Sequence, residues 1–143
     1  MGIKMCGIVV ESGSGDLLGD EFCRDIARVY CSVGWGDSYE TSFIRELYLN
    51  SGFFVVAKHE GECVGVLRAL TDNCLTTWIA EVVVDPRYQG AGVGAAMMEE
   101  LKERYKHTAI YSDPLKGTEG FFEKMGIPPK EKLVACSRRA EDF

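Results

Sequence analysis

Apolar residues recur along this chain in two patterns, one with helical spacing and one of short continuous or alternating runs. The first helical stretch is amphipathic and is followed by a glycine; its apolar positions are Phe22, Ile26, Val29, Tyr30 and Val33. Further helical patterns cover 41–50, the segment after residue 92, and 119–125. Short β-branched or aromatic runs bounded by turn residues predict strands. These strands are 5–10, 53–57, 63–70, 76–84, 109–112 and 133–136.

The order of these elements predicts the fold class. Three strands between 53 and 84 are joined by short turns, so they predict an antiparallel meander. Strand 76–84, the helix after it and strand 109–112 form a β-α-β unit, whose strands should be parallel with a right-handed crossover. We therefore predict an α+β fold: a twisted, mostly antiparallel sheet of six to seven strands, one parallel pair and about four flanking helices. Residues 1–143 are expected to form one domain.

Composition and charge restrict the class of partner. The 143 residues carry 16 Lys and Arg against 22 Asp and Glu, a net charge of −6, so the basic footprint of a nucleic-acid-binding protein is absent. No apolar run approaches the ~18 residues of a membrane span, and no secretory signal is recognisable. We expect a cytoplasmic protein with six reduced cysteines. The cysteine spacing predicts no metal site.

The candidate chemistry begins with a glycine-rich loop before the third helix. Gly90, Gly92 and Gly94 leave backbone amides uncovered, and residues 88–98 contain no Asp or Glu. The first amides of a helix have no intrahelical acceptor, and the helix dipole is positive at that end. An ordinary helix would be expected to begin with an acidic or hydroxyl-bearing cap. The loop therefore predicts an anion site, most simply for a phosphate group.

Two phosphate-binding designs compete for this loop once a Walker loop is excluded by the lack of Gly-Lys-Ser/Thr. The segment 90–95 matches the dinucleotide pattern G-x-G-x-x-A, and Asp113 follows the next strand at about the expected ~20 residues. In that design, however, the glycines follow the strand at once. Here residues 85–89 intervene, and Pro86 ends the strand early. The dinucleotide interpretation is therefore the weaker of the two.

The second design carries a resemblance to a known family. Residues 89–94 read Q-x-x-G-x-G after Val-Asp-Pro, which resembles the acyl-CoA-binding motif of the GNAT N-acetyltransferase superfamily. Residues 120–127, Gly-Phe-Phe-Glu-Lys-Met-Gly-Ile, look like the second signature of that family. The predicted element order also matches. The resemblance covers nearly the whole chain, with its motifs between 78 and 127.

The resemblance implies acetyl-CoA as cosubstrate, no metal, and direct transfer of the acetyl group to an amine. The pyrophosphate of acetyl-CoA would lie on the loop amides. Its pantetheine arm would lie beside the preceding strand, which must splay from strand 109–112. An aromatic residue would line the arm. The implied cofactor-binding residues are Gln89, Gly90, Ala91, Gly92, Val93, Gly94, Ala95, Val82, Val83, Val84 and Phe122.

Candidate catalytic residues follow from the same comparison. Glu81 is the only ionisable side chain in the apolar strand 78–84, which makes it a candidate base or amine anchor. Relatives often donate a proton to the leaving thiolate from a tyrosine, but Phe122 occupies that position here. Tyr111 is the substitute in our prediction. Tyr88 and Ser112 remain open as donors, as does departure of the thiolate to solvent.

The acceptor is predicted only as a class. In this fold it is bound near the first two helices and the hairpin, where Trp35 and Tyr39 offer cation–π contacts and Arg68 is a charge within an apolar strand. A small cationic amine is the expected partner, and a homodimer stays open. The alternative function is a non-catalytic acyl-CoA-binding regulator, which the phenylalanine at position 122 would suit.

Overall fold

The computed structural model describes residues 7–141, and these form two compact units, one ending at Ser112 and one beginning at Asp113. The elements of the first unit are β1 (Ile8–Ser12), α1 (Asp20–Ser32), α2 (Thr41–Leu49), β2 (Phe53–His59), β3 (Glu62–Thr71), β4 (Thr76–Val84), α3 (Val93–Arg104) and β5 (Ala109–Ser112). The second unit contains α4 (Glu119–Lys124). Two short 3₁₀ turns, Gly15–Leu17 and Pro86–Tyr88, complete the list.

The five described strands form one sheet in the order β1-β2-β3-β4-β5. Neighbouring strands are antiparallel except β4 and β5, which are parallel, as the β-α-β pattern predicts. The mixed α+β fold class is confirmed, but the sheet has fewer strands than the six to seven predicted. The first predicted strand is present as β1, shifted toward Ser12; its predicted residues 5 and 6 lie outside the described range.

The predicted strand at 133–136 is wrong. None of its residues is in a strand, and Leu133 and Val134 are exposed. A short apolar run becomes a strand only when a neighbour satisfies its backbone groups and covers its side chains. Within residues 7–141 this segment has no such neighbour, so its sequence pattern alone is insufficient.

Helices cover both faces of the sheet, and this positions the site. Tyr30 of α1 and Tyr48 of α2 are buried in one apolar cluster with Val66 of β3. The opposite face lies under α3, since a Cβ added to Gly65 would be 3.4 Å from the terminal methyl of Met97. We call the first of these surfaces the α1–α2 face. Residues on it alternate along each strand with residues on the α3 face.

The turn between β3 and β4 depends on one carboxylate. Oδ1 of Asp72 accepts hydrogen bonds from the amides of Cys74, Leu75 and Thr76 at 2.8, 2.8 and 3.0 Å. These backbone hydrogen bonds lower the pKa of Asp72 from 3.8 to about 2. The ionised form therefore organises the turn that sets the β3–β4 register.

We predict that Asp72→Ala lowers the free energy of unfolding at pH 7, whereas Asp72→Asn, which keeps an acceptor oxygen, lowers it less. A carboxyl with a depressed folded pKa stabilises above its unfolded pKa and loses that contribution as pH falls through the folded value. The gap between wild type and Asp72→Asn should thus shrink between about pH 4 and pH 2. Urea denaturation at several pH values measures it, and a pH-independent gap would contradict the assignment.

Candidate functional site

A short 3₁₀ turn separates β4 from the glycine loop. Asp85 caps it: its Oδ1 accepts from the Arg87 amide at 2.9 Å, and its Oδ2 lies 2.8 Å from Nη2 of Arg87. The amide of Asp85 donates to the Val64 carbonyl at 2.8 Å. The Arg87 hydrogen bonds hold the pKa of Asp85 below its usual range, although its burial acts in the opposite direction. The turn thus directs the chain away from β4 before the loop begins.

The loop itself is held by a glutamine and shaped by two glycines. Nε2 of Gln89 donates to the Val84 carbonyl at 2.8 Å, closing the end of β4. Gly90 and Gly92 have φ values of 80° and 87°, in the left-handed region that favours glycine. A Cβ at either position would meet nothing within 4 Å. The glycines therefore serve backbone conformation and leave open space beside the main chain.

The start of α3 offers hydrogen-bond donors without acceptors. Gly92 is the N-cap and supplies no side-chain cap, and the first turn contains no acid. The first amide bonded within the helix is that of Ala96, which donates to the Gly92 carbonyl at 3.0 Å. The amides of Val93, Gly94 and Ala95 precede it and have no intrahelical acceptor. Such amides, at the positive end of a helix dipole, suit a phosphate.

The strand before the loop has an open edge. β4 pairs with β5 only from Thr76–Ala109 to Ile79–Ser112. Residues 81–84 continue to pair with β3, but no other described strand lies on their second edge. The three residues predicted to lie along the cofactor belong to this segment: Val82, Val83 and Val84. The glycine loop thus follows the open strand edge after one short turn, Pro86–Tyr88.

A β-bulge changes the direction of side chains in β4. Arg68 is opposite Glu81, and the next residue of β3, Ala69, is opposite Ile79, so Ala80 is an extra residue. A bulge of this kind shifts the alternation of faces by one position. Glu81 consequently points to the α1–α2 face together with Arg68.

Glu81 lies at the centre of a hydrogen-bonded cluster. Nη2 of Arg68 contacts its Oε1 at 3.0 Å, and Tyr30 donates to its Oε2. The Tyr48 hydroxyl is 2.6 Å from that of Tyr30 and 3.4 Å from Oε2. Nη1 of Arg68 donates to Ser51 at 3.2 Å. The Glu81 side chain is only 11% exposed, so both of its oxygens depend on these partners.

The cluster keeps its members in defined protonation states. Burial, followed by the charge of Glu81, raises the pKa of Tyr30 well above its usual range. Burial also raises the pKa of Tyr48. For Arg68, burial acts to lower the pKa, but the hydrogen bond and charge of Glu81 outweigh it and the pKa is raised. The two phenols therefore stay protonated as donors, and the guanidinium stays charged.

Aromatic side chains lie next to this cluster. The ring of Tyr30 is 5.7 Å from Trp35 and 5.5 Å from Tyr39, and Tyr39 stacks on Phe43 at 6.4 Å. Tyr39 also donates to the Trp35 carbonyl. Of the three predicted acceptor-binding residues, Arg68 therefore contacts Glu81 directly, whereas Trp35 and Tyr39 contact the ring of Tyr30, whose hydroxyl donates to Glu81.

The two remaining predicted site residues, Tyr111 and Phe122, belong to different units of the chain. Tyr111 of β5 stacks on Trp78 of β4 with ring centres 6.2 Å apart, and is 39% exposed. Phe122 lies in the second unit, where it is buried and meets Phe121 edge-to-face at 5.3 Å. A role for Phe122 beside the cofactor stays a prediction.

Tyr30 and Tyr48 are the site residues that sequence reasoning missed. The sequence pattern places both on predicted helices, Tyr30 among the apolar positions of the first and Tyr48 within the helical pattern at 41–50. A signal was present, because a buried tyrosine needs a partner for its hydroxyl, and the charges on β3 and β4 need partners too. From the sequence, Glu81 was one of two possible partners for Arg68, the other being an acidic group of the substrate, but neither phenol was predicted to meet these charges.

Residues 7–141 contain no group of three or more His, Cys, Asp or Glu that could hold a metal ion. The five cysteines in this range are all free. No helix among the described residues is long and apolar enough to cross a membrane.

Comparison with known sequences decides between the two phosphate-binding designs. Residues 21–127 match the acetyltransferase (GNAT) family. The chain belongs to this family. The resemblance stated from the two motifs is confirmed, and the dinucleotide interpretation is set aside. Members of the GNAT family generally use acetyl-CoA as donor and act on small-molecule or peptide acceptors.

Relatives and solved structures agree with this assignment. A histone acetyltransferase of Glycine max is 29% identical over 104 residues, which are 66% of this chain and 43% of that protein. A glucosamine 6-phosphate N-acetyltransferase of Trypanosoma brucei brucei is 37% identical over 59 residues, 39% of this chain and 40% of its own. The chain spans less than half the length of the curated relatives that it matches.

The fold has close structural counterparts. A GNAT family acetyltransferase from Streptococcus pneumoniae TIGR4 superimposes with a TM-score of 0.76 at 18% identity, covering 94% of this chain and 99% of that one. At such low identity the likeness concerns the fold alone, and it gives no information about the acceptor.

We predict that Arg68→Met lowers the free energy of unfolding by about 3 kcal/mol, because it leaves a carboxylate unpaired in a largely buried place. The matched control is Arg138→Met, which removes an ion pair with Glu141 whose side chains are 79% and 78% exposed. That loss should stay below about 1 kcal/mol.

Urea denaturation measures both variants. Adding Glu81→Gln to Arg68→Met should recover part of the loss, since no unpaired charge then remains. Equal effects of Arg68→Met and Arg138→Met would show that the cluster is not the buried ion pair described here.

Proposed function

We propose that this protein is an N-acetyltransferase that moves the acetyl group of acetyl-CoA directly to an amine, most simply a small cationic one. The observation that carries the proposal is the uncapped, acid-free start of α3, which the chain reaches through the glycine loop after the open edge of β4. Family membership supports the same donor. Amides for a pyrophosphate and a free strand edge for an extended amide-bearing arm are what acetyl-CoA requires.

The residues present fit this cosubstrate. Open space beside Gly90 and Gly92 lets a phosphate approach the main chain. The donors would be the amides of residues 89–95, and the arm would lie along residues 82–84. Acetyl-CoA supplies an activated acetyl group as a thioester, so the chain's task is to bind it, orient the amine and manage protons.

Glu81 is the proposed proton acceptor or amine anchor. An ammonium must lose a proton before it can attack a carbonyl carbon, and a carboxylate within hydrogen-bond reach can take it. Arg68 and Tyr30 fix the orientation of the Glu81 carboxylate. We propose that backbone amides on the open β4 edge donate to the acetyl oxygen, as positioned donors do in acyl transfer.

Tyr111 is the proposed proton donor to the leaving thiolate. It is partly exposed on β5. Phe122 has no proton to give and is proposed only to line the path of the pantetheine arm. If the thiolate leaves unprotonated instead, Tyr111→Phe will have little effect on turnover.

A second candidate function is a non-catalytic acyl-CoA-binding regulator. One observation favours it specifically: both oxygens of Glu81 already have partners, one of them a guanidinium. An incoming amine would have to compete with these partners for the carboxylate oxygens. Binding and turnover must therefore be measured separately.

We predict that Glu81→Gln lowers kcat by about 100-fold, the lower range for loss of a general base, without weakening acetyl-CoA binding. Glu131→Gln, an exposed acid in the second unit, is the control. Release of free CoA across an amine panel measures turnover, and thermal shift measures binding. Wild-type binding without turnover on any amine would favour the regulator, whereas full turnover in Glu81→Gln would remove Glu81 from the chemistry.

We predict that Ala95→Asp separates stability from cosubstrate binding. An acid in the first helical turn interacts favourably with the dipole by about 0.3–1 kcal/mol, so Tm should not fall. The same charge would oppose the pyrophosphate, and we expect the Kd for acetyl-CoA to rise at least ~10-fold, equivalent to about 1.4 kcal/mol. Ala95→Asn is the uncharged control. Calorimetric titration showing equal affinity in Ala95→Asp and Ala95→Asn would move the pyrophosphate away from this helix.

A further inference from the structure

The bulge at Ala80 brings an exposed aromatic residue onto the same face as the charged cluster. Trp78 and Glu81 are three positions apart in β4, so they would lie on opposite faces of a regular strand. With one extra residue between them they share the α1–α2 face, as their partners on β3 show: Trp78 is opposite Leu70, and Glu81 is opposite Arg68. Leu70 and Arg68 are two positions apart in β3, so their side chains lie on the same face of the sheet.

Three side chains continue this arrangement across the sheet. Leu70 of β3 is opposite Trp78 of β4, which is opposite Tyr111 of β5. The rings of Trp78 and Tyr111 are stacked, inclined by only 20°. The three residues are 46%, 38% and 39% exposed. We call this set the apolar row; it is a partly uncovered apolar surface beside the Arg68–Glu81 pair.

The charges beside the row favour a positively charged group. Arg68 is neutralised by Glu81, so the pair adds no net charge to this face. Next to Arg68 lies a cavity of about 290 Å³, whose lining residues are Phe43, Glu46, Leu47, Asn50, Ser51 and Arg68. Among the ion pairs of residues 7–141, none involves Glu46. The remaining charge here is therefore negative.

We propose that the apolar row binds the body of the acceptor, so that the acceptor is a primary amine carrying a flat apolar group, such as an arylalkylamine, with its ammonium toward Glu81. This rests on the proposed acetyltransferase function. An apolar ring would pack against the exposed parts of Trp78 and Tyr111, and the short alkyl link would let the amine reach the open edge of β4. Aromatic pairs in offset stacking contribute beyond the area they bury.

A second copy of the chain is a poorer occupant. A stable interface buries about 800 Å² per partner, far more than three partly exposed side chains present. The row also adjoins the charged cluster, and interface cores are depleted of charged residues. A small aromatic ligand matches both the size and the surroundings of the row.

The test compares 2-phenylethylamine, n-butylamine and spermidine as acceptors, with CoA release as readout. We expect wild-type kcat/KM to favour 2-phenylethylamine over n-butylamine by more than ~10-fold, about what burial of a ring in an apolar site provides. Trp78→Ala should bring this ratio close to one, mainly through KM, and Trp78→Phe should keep most of it. Leu75→Ala, at an exposed turn position, is the control and should leave the ratio as in wild type.

The outcomes separate the two proposals. If Trp78→Ala is poorly folded, Trp78→Phe and Leu70→Ser provide the comparison instead, and Leu70→Ser should lower the ratio. Turnover that prefers n-butylamine or spermidine, or a ratio that Trp78→Ala and Leu70→Ser leave unchanged, overturns the aromatic acceptor while the acetyltransferase proposal stands. A dimer by light scattering that Trp78→Ala dissociates, without a change in the ratio, assigns the row to a second copy. No CoA release with any amine, despite acetyl-CoA binding, overturns both proposals.

Discussion

The ion pair between Glu81 and Arg68 is the interaction on which the rest of the candidate site depends. A carboxylate that is largely removed from water costs several kcal/mol unless it is paired and hydrogen-bonded. The register of β3 and β4 aligns it with the guanidinium, and the bulge at Ala80 makes that alignment possible. Tyr30 and Tyr48, from two different helices, are the further hydrogen-bond partners of the Glu81 carboxylate. One charge therefore links the sheet to both helices of the α1–α2 face.

β4 has a second role that uses its backbone. Beyond Ile79 one edge of the strand has no partner among the described strands, and the chain then reaches a helix start with uncommitted amides. Unsatisfied main-chain groups normally carry a cost, and they persist where water or a ligand completes them. The side chains of β4 thus belong to the acceptor side of the proposed site, and its free edge belongs to the cosubstrate side.

Local sequence patterns predicted part of the fold and of the candidate site, but not the contacts between distant segments. The bounds of β4 and β5 were predicted residue for residue, because turn residues and apolar runs mark them clearly. The glycine loop was interpretable because its function resides in the backbone of consecutive residues. The Tyr30–Glu81 contact and the bulge at Ala80 were not predicted, since both arise from packing between distant segments. The strand at 133–136 was wrong because strand formation requires a partner that composition does not supply.

The ion pair of Glu81 with Arg68 also bears on how an amine acceptor would best be bound. A free carboxylate would hold the ammonium form tightly, and that stabilises the state that must lose its proton before attack. Contacts that are equally strong for the ammonium and the neutral amine avoid this penalty, although they do not by themselves speed the chemical step. Apolar contact with the row at Leu70, Trp78 and Tyr111 is of this kind. Binding through the ring and proton handling through Glu81 would then be separate functions of adjacent residues on one strand.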